Sequence, residues 1–227
     1  MYTKVQNIIF YLIIIFAIYC ALIIGQSWDE GTYILLGNER LNYLLSFGAN
    51  ETHEALWGRF FPGISYTLKA FVISLFPGKF EFETNRLFNL IISISVVFGI
   101  SKITRELFNK KVSVIIFVIF IIYPVYFGHM AINANDTITA SANIWITYLV
   151  LRYLKNQIDI KRNKYVILIA ISLAFGTGVR LVFIGSILPL LIFILSDIFF
   201  FKKFTSDTFS KKIFFYDLFK IIIISYL

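Results

Sequence analysis

Apolar residues run along this chain in near-continuous stretches, marked here at 7–25, 62–76, 87–108, 112–128, 138–154, 165–201 and 213–227. Most approach the ~20 residues that carry a helix across ~30 Å of hydrocarbon. The stretch 165–201 is long enough for two passes, with a break at Gly176 to Arg180. The pattern predicts an all-α, polytopic membrane helix bundle. The stretch 62–76, PGISYTLKAFVISLF, is the exception: it is short, opens on Pro62-Gly63 and carries Lys69 at its centre. A lysine at mid-bilayer costs ~2.5–3.5 kcal/mol on insertion scales.

The basic residues decide how to treat that stretch. If 62–76 stays on one side, Lys4, the Lys102–Lys111 cluster, the Arg152–Lys164 cluster and the Lys202–Lys212 cluster share a face, which gives it 14 of the 21 basic residues. If it crosses, the last three clusters move outside while Lys4 stays inside, against the positive-inside rule. The stretch is therefore expected to lie at the membrane surface, leaving about seven transmembrane helices. A first outer loop then spans residues 26–86, with seven acids against five bases. Within it, residues 32–45 have Tyr33, Leu36, Leu41, Leu44 and Leu45 at helical spacing. This segment and 62–76 are expected to form two amphipathic interface helices. The second outer segment is GHMAINANDT (Gly128 to Thr137) and the third is FGTGVR (Phe175 to Arg180).

Composition agrees with this class. The 227 residues are 59% hydrophobic, with a mean hydropathy of +0.80. In such a chain the net charge of +8 reports topology, so no nucleic-acid partner is expected. The single cysteine, Cys20, lies within the first apolar run, which leaves no disulfide framework and no cysteine-based metal site. That first run has no small-x-small cleavage site after it and reads as a retained signal anchor. No fixed-period repeat or linker divides the chain, so residues 1–227 are treated as one membrane domain. It stops at KIIIISYL, inside an apolar segment, and later helices or a C-terminal domain are expected to follow.

Chemistry-bearing residues gather in the three outer segments. Asp29 and Glu30 follow the first apolar run directly; they could be solvated helix-flanking acids near a positive helix end. A carboxylate just outside the hydrocarbon could instead deprotonate or orient an acceptor hydroxyl or amine while a lipid-bound donor stays anchored beside it. Asp136, in Asn133-Ala-Asn135-Asp136-Thr137, is expected to cap a helix starting near Thr137. Arg180 could snorkel to the interface or hold a phosphate bidentately beside Gly176 and Gly178, with Arg59 and Lys69 assisting. His53, Glu54 and His129 are the metal candidates, but they lack the tight ligand spacing of a zinc site. The cofactor is left open, with a divalent cation held by oxygens compatible with the composition.

The order of these features resembles the GT-C glycosyltransferase superfamily, nearest to protein O-mannosyltransferases and aminoarabinose transferases. The resemblance rests on Trp28-Asp29-Glu30 after the first membrane helix and a long outer loop with Phe61-Pro62-Gly63 opening its second surface helix. It rests also on Asn85-Arg86-Leu87 opening the next span, Leu107-Phe108 before a basic turn, and the Asn-x-x-Asp-Thr segment at Asn133. It implies that Asp29 is the catalytic carboxylate, that Glu30 assists, that Asp136 helps organise the site, and that Arg180 contacts the donor phosphate. It also implies a polyprenyl-phosphate-sugar donor, an acceptor that is a protein, lipid or glycan, and direct inverting displacement at the anomeric carbon. The location implied is the bacterial inner membrane, among membrane lipids, with the N-terminus cytoplasmic and the active site on the periplasmic side. A secondary transporter or lipid flippase could use the same outer-face carboxylates. Transporters, however, hold ionisable groups at the midplane between repeated halves, and no repeat is present here.

Overall fold

The computed structural model describes residues 2–50, 64–158 and 160–226. They are helical, with no strand among them. The helices are α1 (Tyr2–Ile23), α2 (Glu30–Leu45), α3 (Ile64–Ser74), α4 (Glu81–Leu107), α5 (Lys110–Ile122), α6 (Pro124–His129), α7 (Ala134–Lys155), α8 (Arg162–Val179), α9 (Phe183–Ser196) and α10 (Lys211–Tyr226). A 3₁₀ turn at Gly78–Phe80 leads into α4, and a π-helical turn at Asp197–Phe201 extends α9. Two of these segments, Gly78–Leu107 and Phe183–Phe201, are long and apolar enough to cross a membrane by length and composition.

Helix ends follow local chemistry. The apolar stretch 112–128 is not one helix, because Pro124 forces Tyr123 into an extended conformation (φ −62°, ψ 117°) and opens the short helix α6 from its first position. The expected break at Gly176 to Arg180 is present: α8 ends at Val179 and Arg180 is extended. Asp136 does not cap its helix as expected. The helix starts at Ala134, and Asn133 caps it by accepting the Asp136 backbone N–H at 3.2 Å.

The coordinates form two compact units, Met1–Ile94 with Ile121–Thr137, and Ser95–Phe120 with Ile138–Leu227. In the first, α2 and α3 pack closely, and the inward face of α2 is Glu30, Ile34 and Gly37. Leu44 and Leu45, part of the apolar spacing of this helix, are exposed. Gly37 permits the close packing: the Tyr66 carbonyl of α3 comes to 2.9 Å of where a Cβ would stand. An apolar cluster of Ala17, Ala21, Leu90, Met130 and Ala131 joins α1, α4 and the turn after α6.

The second unit is built on a larger cluster from α7 to α10, including Leu149, Leu154, Val166, Phe183, Ile194 and Phe214. Its connecting loop is pinned by buried polar side chains. The Asp197 carboxylate accepts backbone N–H groups of Lys203, Phe204 and Thr205. Gln157 both accepts from and donates to the backbone of Ser210.

Substituting Gly37 by leucine inserts a side chain against the Tyr66 backbone, which cannot retreat as a flexible side chain would. Gly37→Leu is expected to cost about 1–3 kcal/mol, read as a lower thermal midpoint of the detergent-solubilised protein.

Candidate active site

The first unit concentrates the polar chemistry. Glu30, in the first turn of α2, is only 2% exposed. Its carboxylate accepts Asn85 Nδ2 at 2.7 Å and Arg86 Nε at 3.1 Å on one oxygen, and Arg86 Nε and Nη2 at 3.2 Å each on the other. The third guanidinium nitrogen, Nη1, donates to the Ile24 carbonyl at 2.6 Å, just beyond the end of α1. Arg86 therefore joins the end of α1, the start of α2 and the second turn of α4. Bidentate guanidinium–carboxylate geometry is the strong form of this contact.

Asp29 precedes this pair and occupies the N-cap position of α2, but its side chain makes no capping bond. It is exposed. The two adjacent acids thus have opposite environments: Glu30 is enclosed and paired, while Asp29 presents a carboxylate to the outside.

Tyr33, one turn along α2, connects the remaining parts. Its ring stacks on Tyr66 of α3 at 5.6 Å, and its hydroxyl accepts a bond from Asn135 Nδ2 at the start of α7. The neighbouring Asp136 is exposed, with Oδ2 accepting from Asn133 Nδ2 at 2.9 Å. The Asp29 and Asp136 segments are thereby brought into one unit through Tyr33 and Asn135.

On α4, Asn85, Asn89 and Ser93 recur every fourth residue and are all buried, forming a polar seam along one helical face. Asn89 donates to the Ala131 carbonyl at 3.0 Å and Ser93 to the Met130 carbonyl at 2.8 Å. Several buried polar atoms have no hydrogen-bond partner among the described residues: Ser27 Oγ, Ser65 Oγ, Thr67 Oγ1, Lys69 Nζ, Asn85 Oδ1 and Asn89 Oδ1. These lie in the first unit, as does the unpartnered Glu39 Oε2, while Asp217 Oδ1 of the second unit is likewise without a partner among the described residues. Such atoms are uncommon in native interiors and ask for an explanation.

Lys69 is the largest of these, at 1% exposure, with Nζ 5.1 Å from the Tyr66 ring centroid. Burial pushes its ammonium down from the ordinary 10.5 to about 8, against the opposing pull of Glu30 and then Asp29. Burial also holds the Arg40 guanidinium below its ordinary value.

Of the other expected site residues, Arg180 is exposed at the end of α8 and belongs to the second unit. Arg59, His53 and Glu54 lie outside the described residues. His129 is exposed at the end of α6, and no group of three metal-ligating side chains occurs among the described residues. In the sequence, Asn85-Arg86 marks only the opening of a span and Tyr33 only an apolar position, while Asn89 and Ser93 stand out by no motif of their own. The four-residue spacing of Asn85, Asn89 and Ser93 was the available signal.

Residues 62–226 match the family described as dolichyl-phosphate-mannose-protein mannosyltransferase, and the chain belongs to that family. The matched segment takes in Lys69, Arg86, Asp136 and Arg180 and begins after Asp29 and Glu30. No curated protein and no solved structure matches the chain. Membership identifies a glycosyltransferase, mannosyltransferase-like, and implies a polyprenyl-phosphate-sugar donor with an acceptor.

Two stability predictions follow from the buried charges. Arg86→Met strands the Glu30 carboxylate in the interior and is expected to cost about 3–5 kcal/mol, measured by thermal unfolding. Lys69→Met acts in the opposite direction. The folded protein releases the Lys69 proton earlier than the unfolded chain, so wild-type stability rises between pH about 8 and 10.5. At neutral pH the methionine variant is expected to be more stable by on the order of 3 kcal/mol. That gain should shrink as pH rises through this window, visible in unfolding midpoints taken across it.

Proposed function

We propose that this protein moves a sugar from a polyprenyl-phosphate-linked donor to an acceptor at the extracytoplasmic membrane face, with inversion at the anomeric carbon. Family membership supports the reaction class. The observation that carries the site is the contrast between the exposed Asp29 and the enclosed Glu30 beside it. A general base must reach the acceptor proton, and Asp29 is the member of the pair with a carboxylate open to do so.

In this reading Asp29 takes the proton from the acceptor hydroxyl or amine as its oxygen or nitrogen attacks the anomeric carbon, and the bond to the lipid phosphate breaks on the opposite face. Cationic groups stabilise the departing phosphate; Arg180 and Arg59 are assigned that part. Glu30 serves through Arg86 and Asn85 by fixing the first turn of α2. Asp136, linked to α2 by way of Asn135 and Tyr33, helps organise the acceptor side. The unsatisfied polar atoms of Ser65, Asn85 and Asn89 are of the donor and acceptor kinds that sugar hydroxyls satisfy.

The membrane arrangement proposed with this chemistry has about seven crossings, with α2 and α3 lying at the outer surface and the N-terminus inside. The positive-inside distribution of lysine and arginine supports it. The setting is a bacterial inner membrane, where the lipid carrier keeps the sugar at the bilayer boundary.

Asp29→Asn is expected to abolish transfer of radiolabelled sugar from a polyprenyl-phosphate donor by isolated membranes, a loss of at least about 100-fold, while leaving insertion and abundance unchanged. Turnover at the wild-type rate in that variant removes Asp29 from the base role.

A further inference from the structure

The second unit holds a cavity that the proposed chemistry leaves unused. Its volume is about 100 Å³, and α7, α8, α9 and α10 all contribute to its walls. The lining is aliphatic except where Tyr153, Phe214 and Asp217 meet and close one end. The floor from α7 and α8 is buried at Ile146, Val150 and Ile169, whereas Ile187 and Leu190 of α9 and Leu218 and Ile221 of α10 are only half-buried. The cavity is therefore a cleft open between α9 and α10. Apolar cavities of this order take up apolar guests in preference to water.

Two of the walls are helical stripes that end in a cation. On α10 the lining residues Phe214, Leu218 and Ile221 follow Lys211 by three, seven and ten positions, which sets Lys211 on the same face. On α8, Ile169 and Leu173 follow Arg162 by seven and eleven positions, again one face. Contacts confirm the placement. The Lys211 ammonium lies 4.3 Å from the ring centroid of Phe199, in the turn that extends α9, so it bridges the mouth of the cleft. Arg162 Nε lies 3.5 Å from Oδ2 of Asp217, at the closed end. Asp217 is thus occupied by Arg162 and the Tyr153 hydroxyl, and Asp197 by the backbone N–H groups of Lys203, Phe204 and Thr205. Lys211 and Lys212 are exposed, and no ion pair engages either among the described residues.

An apolar slot ending in uncompensated cations is complementary to an anionic amphiphile. We propose that the cleft between α9 and α10 takes one chain of an anionic glycerophospholipid, with Lys211 as the principal contact of its phosphate and Arg162 anchoring the closed end. Basic pockets between membrane helices bind anionic headgroups in this way. The positive-inside distribution accounts for lysines at this end of the helices, but not for their alignment with a cavity. The inference does not depend on Asp29 being the general base. The cleft is also distinct from the proposed donor site, because Arg180 stands at the opposite end of α8, 18 residues and roughly 27 Å along the axis.

The test offers the protein, purified in a neutral detergent, equal amounts of phosphatidylglycerol and phosphatidylcholine with matched chains, and counts bound lipid by native mass spectrometry. Wild type is expected to retain phosphatidylglycerol preferentially. Lys211→Gln is expected to lower that preference about fivefold, and Leu190→Trp, which fills the cleft, to abolish it. Equal retention of the two lipids by wild type overturns the proposal and marks the bound lipid as an adventitious additive only. An unchanged preference in Lys211→Gln overturns it as well. Glycerol phosphate, which has the headgroup charge but no chain, is not expected to displace the lipid, and displacement by it removes the cleft from recognition. A raised KM for the polyprenyl-phosphate sugar in membranes carrying Lys211→Gln would make this lysine a donor contact and also overturns the proposal. If Leu190→Trp does not fold, Lys211→Gln, which alters only an exposed side chain, decides alone.

Discussion

The Glu30–Arg86 ion pair is the constraint on which the first unit depends. Both charges are almost completely enclosed, and an enclosed charge is tolerable only when its partner and its hydrogen bonds are complete. Arg86 meets that demand by spending all three guanidinium nitrogens on Glu30 and the Ile24 carbonyl. Asn85 adds a further donor from the adjacent position. Arg86 thereby fixes the start of α4 to the end of α1 and the first turn of α2, more than fifty residues earlier in the chain. Such a pair adds little net stability compared with an apolar replacement, but it fixes geometry, because any displacement exposes a desolvated charge.

Fixing the first turn of α2 also fixes what stands beside it. Asp29 is the residue before Glu30, so the direction in which its carboxylate projects is set by a pair in which it takes no part. One turn further on, Tyr33 reaches both Tyr66 and Asn135, and Gly37 permits the close approach of α3 that encloses Lys69. Helix α3 and the Asn133–Asp136 segment are thus held by contacts that radiate from α2. The proposed chemistry asks for this division of labour, with one carboxylate committed to structure and its neighbour left open.

The helices were legible in the sequence because their cause is local: apolar runs of suitable length and a break at Arg180. Boundaries were legible only where the local signal was unambiguous. Pro124 divides a run that hydropathy joins, and Asn133 rather than Asp136 caps α7, since both are capping types and spacing alone does not choose between them. The site was legible as a set of candidate acids but not as an arrangement. Asn85 and Arg86 lie 55 and 56 residues from Glu30, and nothing in the sequence near either end announces the other.

The proposed site requires Asp29 and Asp136 to serve the same side of the membrane. Single cysteines at positions 29 and 136, each in a background with Cys20→Ser, can be tested in intact cells with a membrane-impermeant maleimide. Labelling of both from outside is the expected result. Labelling of one only after the membrane is opened would set the two carboxylates on opposite faces and contradict a shared site for sugar transfer.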